Sequence, residues 1–354
     1  MKHLLWITII AGLVIFNCSS SKNLPGNDDL EIRLPGMPAQ EGSEVVAEAD
    51  GLIGVEPKSP YNEFYILDSI RVVIDDPYDT EGLFDSPRNL ILYALPNGNS
   101  IEWTMGKQKN EMDDWHFNIQ YIDAQIKWLR EHTHERYTVA YLEAPQLSWP
   151  AWKRSHLNFG EMITQVTDSL RSIYPQARVM LNSHSGGGSF INGFIESREM
   201  IPGWIKRIGF IDSNYGYNAE IGVKIDSWLN SDEDNHLTVF AYNDSIALYE
   251  GKPFVSARGG TWYRSKMMIQ DLGQKRTLAK TNIHEGIIQY RSKDEQILVL
   301  LKQNPSRGIF HTEQVELNGF IHCALFGGEL ENVGYEYFGE RSYNKYILEE
   351  TPPF

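Results

Sequence analysis

The residues of this 354-residue chain best placed by type and spacing to do chemistry are Ser183-His184-Ser185-Gly186-Gly187-Gly188. A serine hydroxyl is a weak nucleophile until a base removes its proton and the backbone holds it clear of its neighbours. Val179-Met180-Leu181, before the turn, is a strand-sized apolar run, and Phe190, Ile191, Phe194 and Ile195, after it, recur at helical spacing. A strained strand–turn–helix junction needs small residues around its serine, because a larger side chain would clash. The Gly186 amide, next after Ser185, would then lie at a helix N-terminus, where negative charge is stabilised. The G-x-G-x-x-G and G-K-[ST] spacings of nucleotide sites are missing from this turn.

The Ser-x-Ser-x-Gly pattern resembles the nucleophile elbow of the α/β-hydrolase superfamily. It departs from Gly-x-Ser-x-Gly at the first position, where Ser183 is nearly as small as glycine. The resemblance spans roughly residues 65–330 and implies a doubly wound, mainly parallel sheet with helices on both faces. It also implies a serine hydrolase with Ser, then Asp or Glu, then His in chain order. Ser185 is the expected nucleophile. His322, in Asn318-Gly319-Phe320-Ile321-His322 behind the last expected strand, is the expected base; His311 competes but lies within the strand-like run Ile309–Leu317. The acid is Asp212, which ends Ile208–Ile211 and opens Asp212-Ser213-Asn214-Tyr215-Gly216, or else Asp244, which ends the next strand; the other is expected to cap a helix or turn. An oxyanion hole needs two donors aimed at the developing charge; Gly186 offers one, and the loop Asn97-Gly98-Asn99 is the expected source of the other. The reaction so implied is cleavage of a small-molecule, glycan or peptide ester, with amides second because their leaving groups need more help. No cofactor and no metal are called for.

These residues need a scaffold, and the hydrophobic pattern supplies one. Strands are predicted at Ser69–Ile74, Asn89–Leu95, Tyr137–Leu142, Ile208–Ile211 and Leu237–Tyr242, with more in 287–301 and 309–317. Between them, helices are predicted through Trp115, Ile119, Ile122, Ile126 and Leu129, through Phe159, Ile163, Val166, Leu170 and Ile173, over Ile221–Leu229, and around Tyr263–Leu272. Alternating strands and helices mean a mainly parallel sheet covered on both faces, in a single domain over 61–354. Two Trp residues in Ser148-Trp149-Pro150-Ala151-Trp152 follow a strand at the edge where ligands bind; they are a stacking surface for sugars or a packed loop. Gly259-Gly260-Thr261 looks like a helix start with another close backbone approach.

Residues 1–17 read as an export signal, with Lys2 before an apolar run from Leu4 to Phe16 that is too short to span a bilayer. Cys18 follows, as in a bacterial lipoprotein signal, so it is the expected lipidation site, and polar residues 18–60 read as a flexible tether. The expected location is therefore the cell envelope, lipid-anchored at an outer membrane or cell surface. The one other cysteine is Cys323, so no intramolecular disulfide is expected. A net charge of −15 without a basic cluster argues against nucleic acid as a partner. His132-Thr133-His134-Glu135 is the one metal-like cluster, but it follows a helix end, where histidines interact favourably with the carbonyl dipole. The rival reading is a non-catalytic surface protein that binds glycan or peptide on the same fold.

Overall fold

The computed structural model describes residues 60–67, 69–76 and 88–352; the expected signal over 1–17, Cys18 and nearly all of the tether lie outside them. The strands are β1 (Tyr61–Ile66), β2 (Ile70–Asp75), β3 (Arg88–Ala94), β4 (Arg136–Glu143), β5 (Arg178–His184), β6 (Ile205–Ile211), β7 (His236–Tyr242), β8 (Leu248–Tyr249), β9 (Lys252–Pro253), β10 (Leu278–Asn282), β11 (Ile287–Ser292) and β12 (Ile297–Lys302). The helices are α1 (Ile101–Met105), α2 (Ile122–His132), α3 (Trp149–Ser155), α4 (Phe159–Ile173), α5 (Gly188–Glu196), α6 (Ala219–Ser231), α7 (Thr261–Gly273), α8 (Glu313–Glu316) and α9 (Gly319–Leu325). Ten strands form one sheet in the order β1-β2-β4-β3-β5-β6-β7-β12-β11-β10, while β8 and β9 pair separately.

The six strands from β4 to β12 in that order are parallel, and the strands added at each edge run antiparallel. One row of the register runs Leu92, Leu181, Ile208, Leu237, Ile297 across five of them. Strands buried on both faces carry apolar residues at nearly every position, and alternate residues serve alternate faces. Leu90, Leu92 and Ala94 of β3 join the core beneath α3 to α7, whereas Ile91 and Tyr93 join the core beneath α1, α2 and α9. The result is an α/β-hydrolase-like doubly wound sheet. Because its central strands are parallel, their carboxyl ends emerge on one edge; Asn97, Ser185, Asp212 and Asp244 lie just beyond such ends, and His311 lies in the loop between β12 and α8.

Three expected elements differ. Residues 309–317 are not a strand: a loop leads into α8. β12 is already paired with β7 on one side and β11 on the other, so no open edge remains for another strand at that position. The helix expected from Trp115 begins as a 3-10 turn over Trp115–Asn118, and Tyr121, at φ 54°, separates it from α2. The Ser148–Trp152 loop is the start of α3: Ser148 Oγ accepts the Ala151 amide at 3.2 Å, and Pro150 fits the first turn.

Candidate active site

Ser185 follows β5 with φ 53°, a left-handed conformation that costs a non-glycine residue energy, and it is 6% exposed. The turn is tight enough to explain its glycines. A Cβ on Gly186 would come within 2.1 Å of Asn97 Oδ1, and one on Gly188 within 1.8 Å of the Ser213 carbonyl. Ser183, which departs from the usual glycine, has a place for its hydroxyl. Ser213 Oγ donates to the Ser183 carbonyl at 3.2 Å, so Ser183 Oγ donates to Ser213 Oγ at 2.8 Å. Those bonds tie the end of β5 to the turn after β6, the turn that carries Asp212.

Asp212 is fully buried at φ 42°. His311 Nδ1 donates to its Oδ2 at 2.5 Å, and the Thr261 hydroxyl makes a short bond to its Oδ1. With the proton on Nδ1, the neutral imidazole has its lone pair on Nε2, the arrangement a general base needs. The ring lies beside the elbow. His184, the residue before Ser185, packs against it with centroids 4.5 Å apart and the rings tilted by 33°, and its Nε2–H donates to the His311 carbonyl at 3.1 Å. Burial holds His184 well below the usual imidazole range, assisted by the neighbouring His311, so His184 stays neutral while bracing the loop.

His322 is not brought to this group. It lies in α9, fully enclosed, with Nδ1 at 3.0 Å from the Tyr335 hydroxyl and its ring against Phe240 and Tyr337. Phe240 is in the middle of β7, so His322 covers the face of the sheet instead of reaching over its carboxyl edge. Burial pushes it down to about 4, which keeps it uncharged in its apolar setting. The expected pairing of Ser185 with His322 is therefore corrected: the histidine joined to the aspartate is His311.

Asp244 has the capping role left to the other acid. Its Oδ2 accepts the Thr261 amide at 2.8 Å, at the N-terminus of α7. Gly260 is the close approach that its sequence suggested, since a Cβ there would lie 2.0 Å from Asp244 Oδ2. Burial, and then the Asp212 charge, push Asp244 up to about 7. The two residues of this network missed in the sequence are His184 and Thr261. Both lay inside motifs already singled out, and nothing local marks the long-range contacts they make.

Gly186 is the second residue of a 3-10 turn over Ser185–Gly187, so its amide is among the donors that a helix start leaves without an intrahelical acceptor. Asn97 packs against it, and Asn97 Oδ1 is buried with no partner among the described residues. Gly98 does not fit as the second donor, because its amide is committed to the Leu147 carbonyl at 2.8 Å. Trp149 and Trp152 are buried edge-to-face, 5.5 Å apart, and Trp149 Nε1 donates to the Leu142 carbonyl. They form packed core, with no face left for a sugar. His132 stacks on Trp128, and its Nδ1 donates to the Trp128 carbonyl at 2.8 Å. Among the described residues, no group of three or more His, Cys, Asp or Glu is arranged to hold a metal, and no helix is long and apolar enough to cross a membrane.

No family model matches the chain, and no curated protein matches it. Solved structures similar to it include a thermostable esterase, with 13% identity and a TM-score of 0.41 over 69% of this chain and 54% of that one. The chain thus spans about half the length of that esterase. The siderophore hydrolase EstB from Aspergillus nidulans is 12% identical with a TM-score of 0.41, over 80% of this chain and 99% of its own. An acylaminoacyl peptidase from Pyrococcus horikoshii is 11% identical with a TM-score of 0.36, over 80% and 43%.

Proposed function

We propose that this chain is a serine hydrolase that cleaves an ester through Ser185, His311 and Asp212. The observation that carries the reading is the 2.5 Å bond from His311 Nδ1 to a buried carboxylate, on the sheet edge where Ser185 sits in a left-handed turn. Ser185 Oγ attacks the carbonyl carbon while His311 Nε2 takes its proton. The imidazolium, supported by Asp212, then returns that proton to the leaving oxygen, and an acyl-enzyme remains. Water attacks the acyl-enzyme by the same route, with His311 again as base. The Gly186 amide stabilises the oxyanion from one side. Asn97, packed on Gly186, is the nearest source of a second donor in the preceding loop. Esters come before amides because an alkoxide leaves with less help than an amine.

The sequence of residues 1–18 adds the location: export, lipidation at Cys18 and attachment to an outer membrane or cell surface, with the hydrolase domain held off on a polar tether. The catalytic reading is tested by labelling the purified protein with a fluorophosphonate. Labelling of the wild type and none of a folded Ser185→Ala variant is expected, together with turnover of short-chain p-nitrophenyl esters. An unlabelled, folded wild type would overturn the reading and leave the fold as a binding scaffold.

A further inference from the structure

Asp244, the acid that does not touch the imidazole, is nevertheless tied to it through one side chain. Thr261 Oγ1 makes its short bond to Asp212 Oδ1 and lies 3.3 Å from Asp244 Oδ2. A hydroxyl has one proton, so it cannot donate to both carboxylates. Given to Asp212, the proton leaves an oxygen lone pair facing an oxygen of Asp244. Asp244 Oδ2 already accepts the Thr261 amide at 2.8 Å, and a proton on Asp244 donated to Thr261 Oγ1 would turn the 3.3 Å contact into a second hydrogen bond. Asp244 is 2% exposed, and its Oδ1 has no partner among the described residues, so a full charge there is poorly solvated.

Resting on the serine-hydrolase reading above, we propose that Asp244 and Thr261 are positioning residues that form the outer end of a hydrogen-bonded chain, Asp244–Thr261–Asp212–His311. Two protons are shared along its carboxyl and hydroxyl groups. With both in place, Asp212 Oδ1 is fixed by Thr261, and Oδ2 is turned to His311. When Asp244 ionises, the Thr261 proton is contested by two carboxylates and Asp212 loses its fixed partner. The titratable groups facing Asp244 are Asp212 after β6, His311 before α8, and the phenols of Tyr215 and Tyr242. Glu313 faces the same neighbourhood across Tyr242 and His311. Burial raises both phenols well above their ordinary value, so they stay neutral. Burial first, and the Asp212 charge second, bring Asp244 up to about 7.

The test uses Thr261→Val, which keeps the shape and the amide given to Asp244 but removes the hydroxyl, with Thr261→Ser as rescue and Asp244→Asn as a carboxamide that cannot ionise. The low-field proton resonance of the His311–Asp212 bond, assigned with His311→Gln, is followed by NMR against pH, beside the pH profile of kcat. In the wild type, the resonance is expected to move with an inflection near 7. Asp244→Asn should alter that pH profile. Thr261→Val should broaden the resonance and lower kcat about ten- to a hundred-fold at unchanged KM, as expected for a lost hydrogen bond to a charged group, and Thr261→Ser should restore both. Identical resonances and pH profiles in the wild type, Asp244→Asn and Thr261→Val, with only the melting temperature changed, would reduce Asp244 to a helix cap and overturn the proposal. The resonance is read without substrate, so it decides this point even if Ser185 takes no fluorophosphonate and the hydrolase reading fails.

Discussion

Replacing Asp212 by asparagine separates the charge of the acid from its shape. The carboxylate is fully buried and is held by His311 at Oδ2 and Thr261 at Oδ1, so the isosteric amide fits the same space. It has two ways to sit. With its oxygen toward His311, the correct tautomer survives, its NH2 donates to Thr261, and the Thr261 hydroxyl turns to Asp244 Oδ2, 3.3 Å away. What is lost is a charge-assisted bond to the imidazolium that forms in the transition state, worth about 3 kcal/mol at the upper end for such bonds. With its NH2 toward His311, the ring must put its proton on Nε2 and cannot accept from Ser185, which adds roughly 1–2 kcal/mol for the misprotonated population. The sum, about 4–5 kcal/mol, corresponds to three to four orders of magnitude in kcat. The assay is turnover of a p-nitrophenyl ester with active sites counted by fluorophosphonate, beside a thermal melt. A folded Asp212→Asn protein within tenfold of wild-type kcat would refute the assignment of Asp212 as the orienting acid.

Other expectations follow from the same geometry. His311→Gln should abolish ester turnover in a folded protein, whereas His322→Phe should keep turnover and change only the melt, because His322 packs against Phe240 and Tyr337; the opposite pattern would return the base to His322. Asp244 is raised from 3.8 to about 7, so the folded state holds its proton more tightly than the unfolded one, and this group costs stability as pH rises between those values. Relative to the wild type, Asp244→Asn should therefore gain stability from pH 4 to 7 and level off above, by up to about 4 kcal/mol, readable as diverging melts. His322, pushed down to about 4, acts in the other direction: its stability is lost as pH falls from 6.5, which is why the comparison is made between variants and not along one melt curve. Cys18→Ala should release the protein from membranes of its native host, measured by fractionation, and retention without Cys18 would exclude the lipid anchor.

What could be read from the sequence was what short stretches decide. The elbow is local: a β-strand run, a serine among glycines and an apolar helical repeat lie within one turn of each other, so Ser185 and Gly186 stood out. Asp212 and Asp244 each end an apolar run that emerged as a strand, and the parallel order of β6 and β7 brings both to one edge. The choice of histidine was not local. Ile309, Phe310, Val315 and Leu317 read as a strand, but β12 has both neighbours already, so the segment crosses the carboxyl edge and carries His311 to Asp212, 99 residues away in sequence. His322, next to Phe320 and Ile321, is carried by the same apolar residues into α9 and onto the face of the sheet. Gly98 was lost as a donor to a carbonyl of another loop, and Thr261 gained its place between the two acids only when α7 docked beside β7. Propensity and spacing act over a few residues, whereas hydrogen-bond partners and pKa shifts depend on groups brought together from distant parts of the chain; tertiary structure therefore decided which histidine meets Asp212 and which acid caps α7.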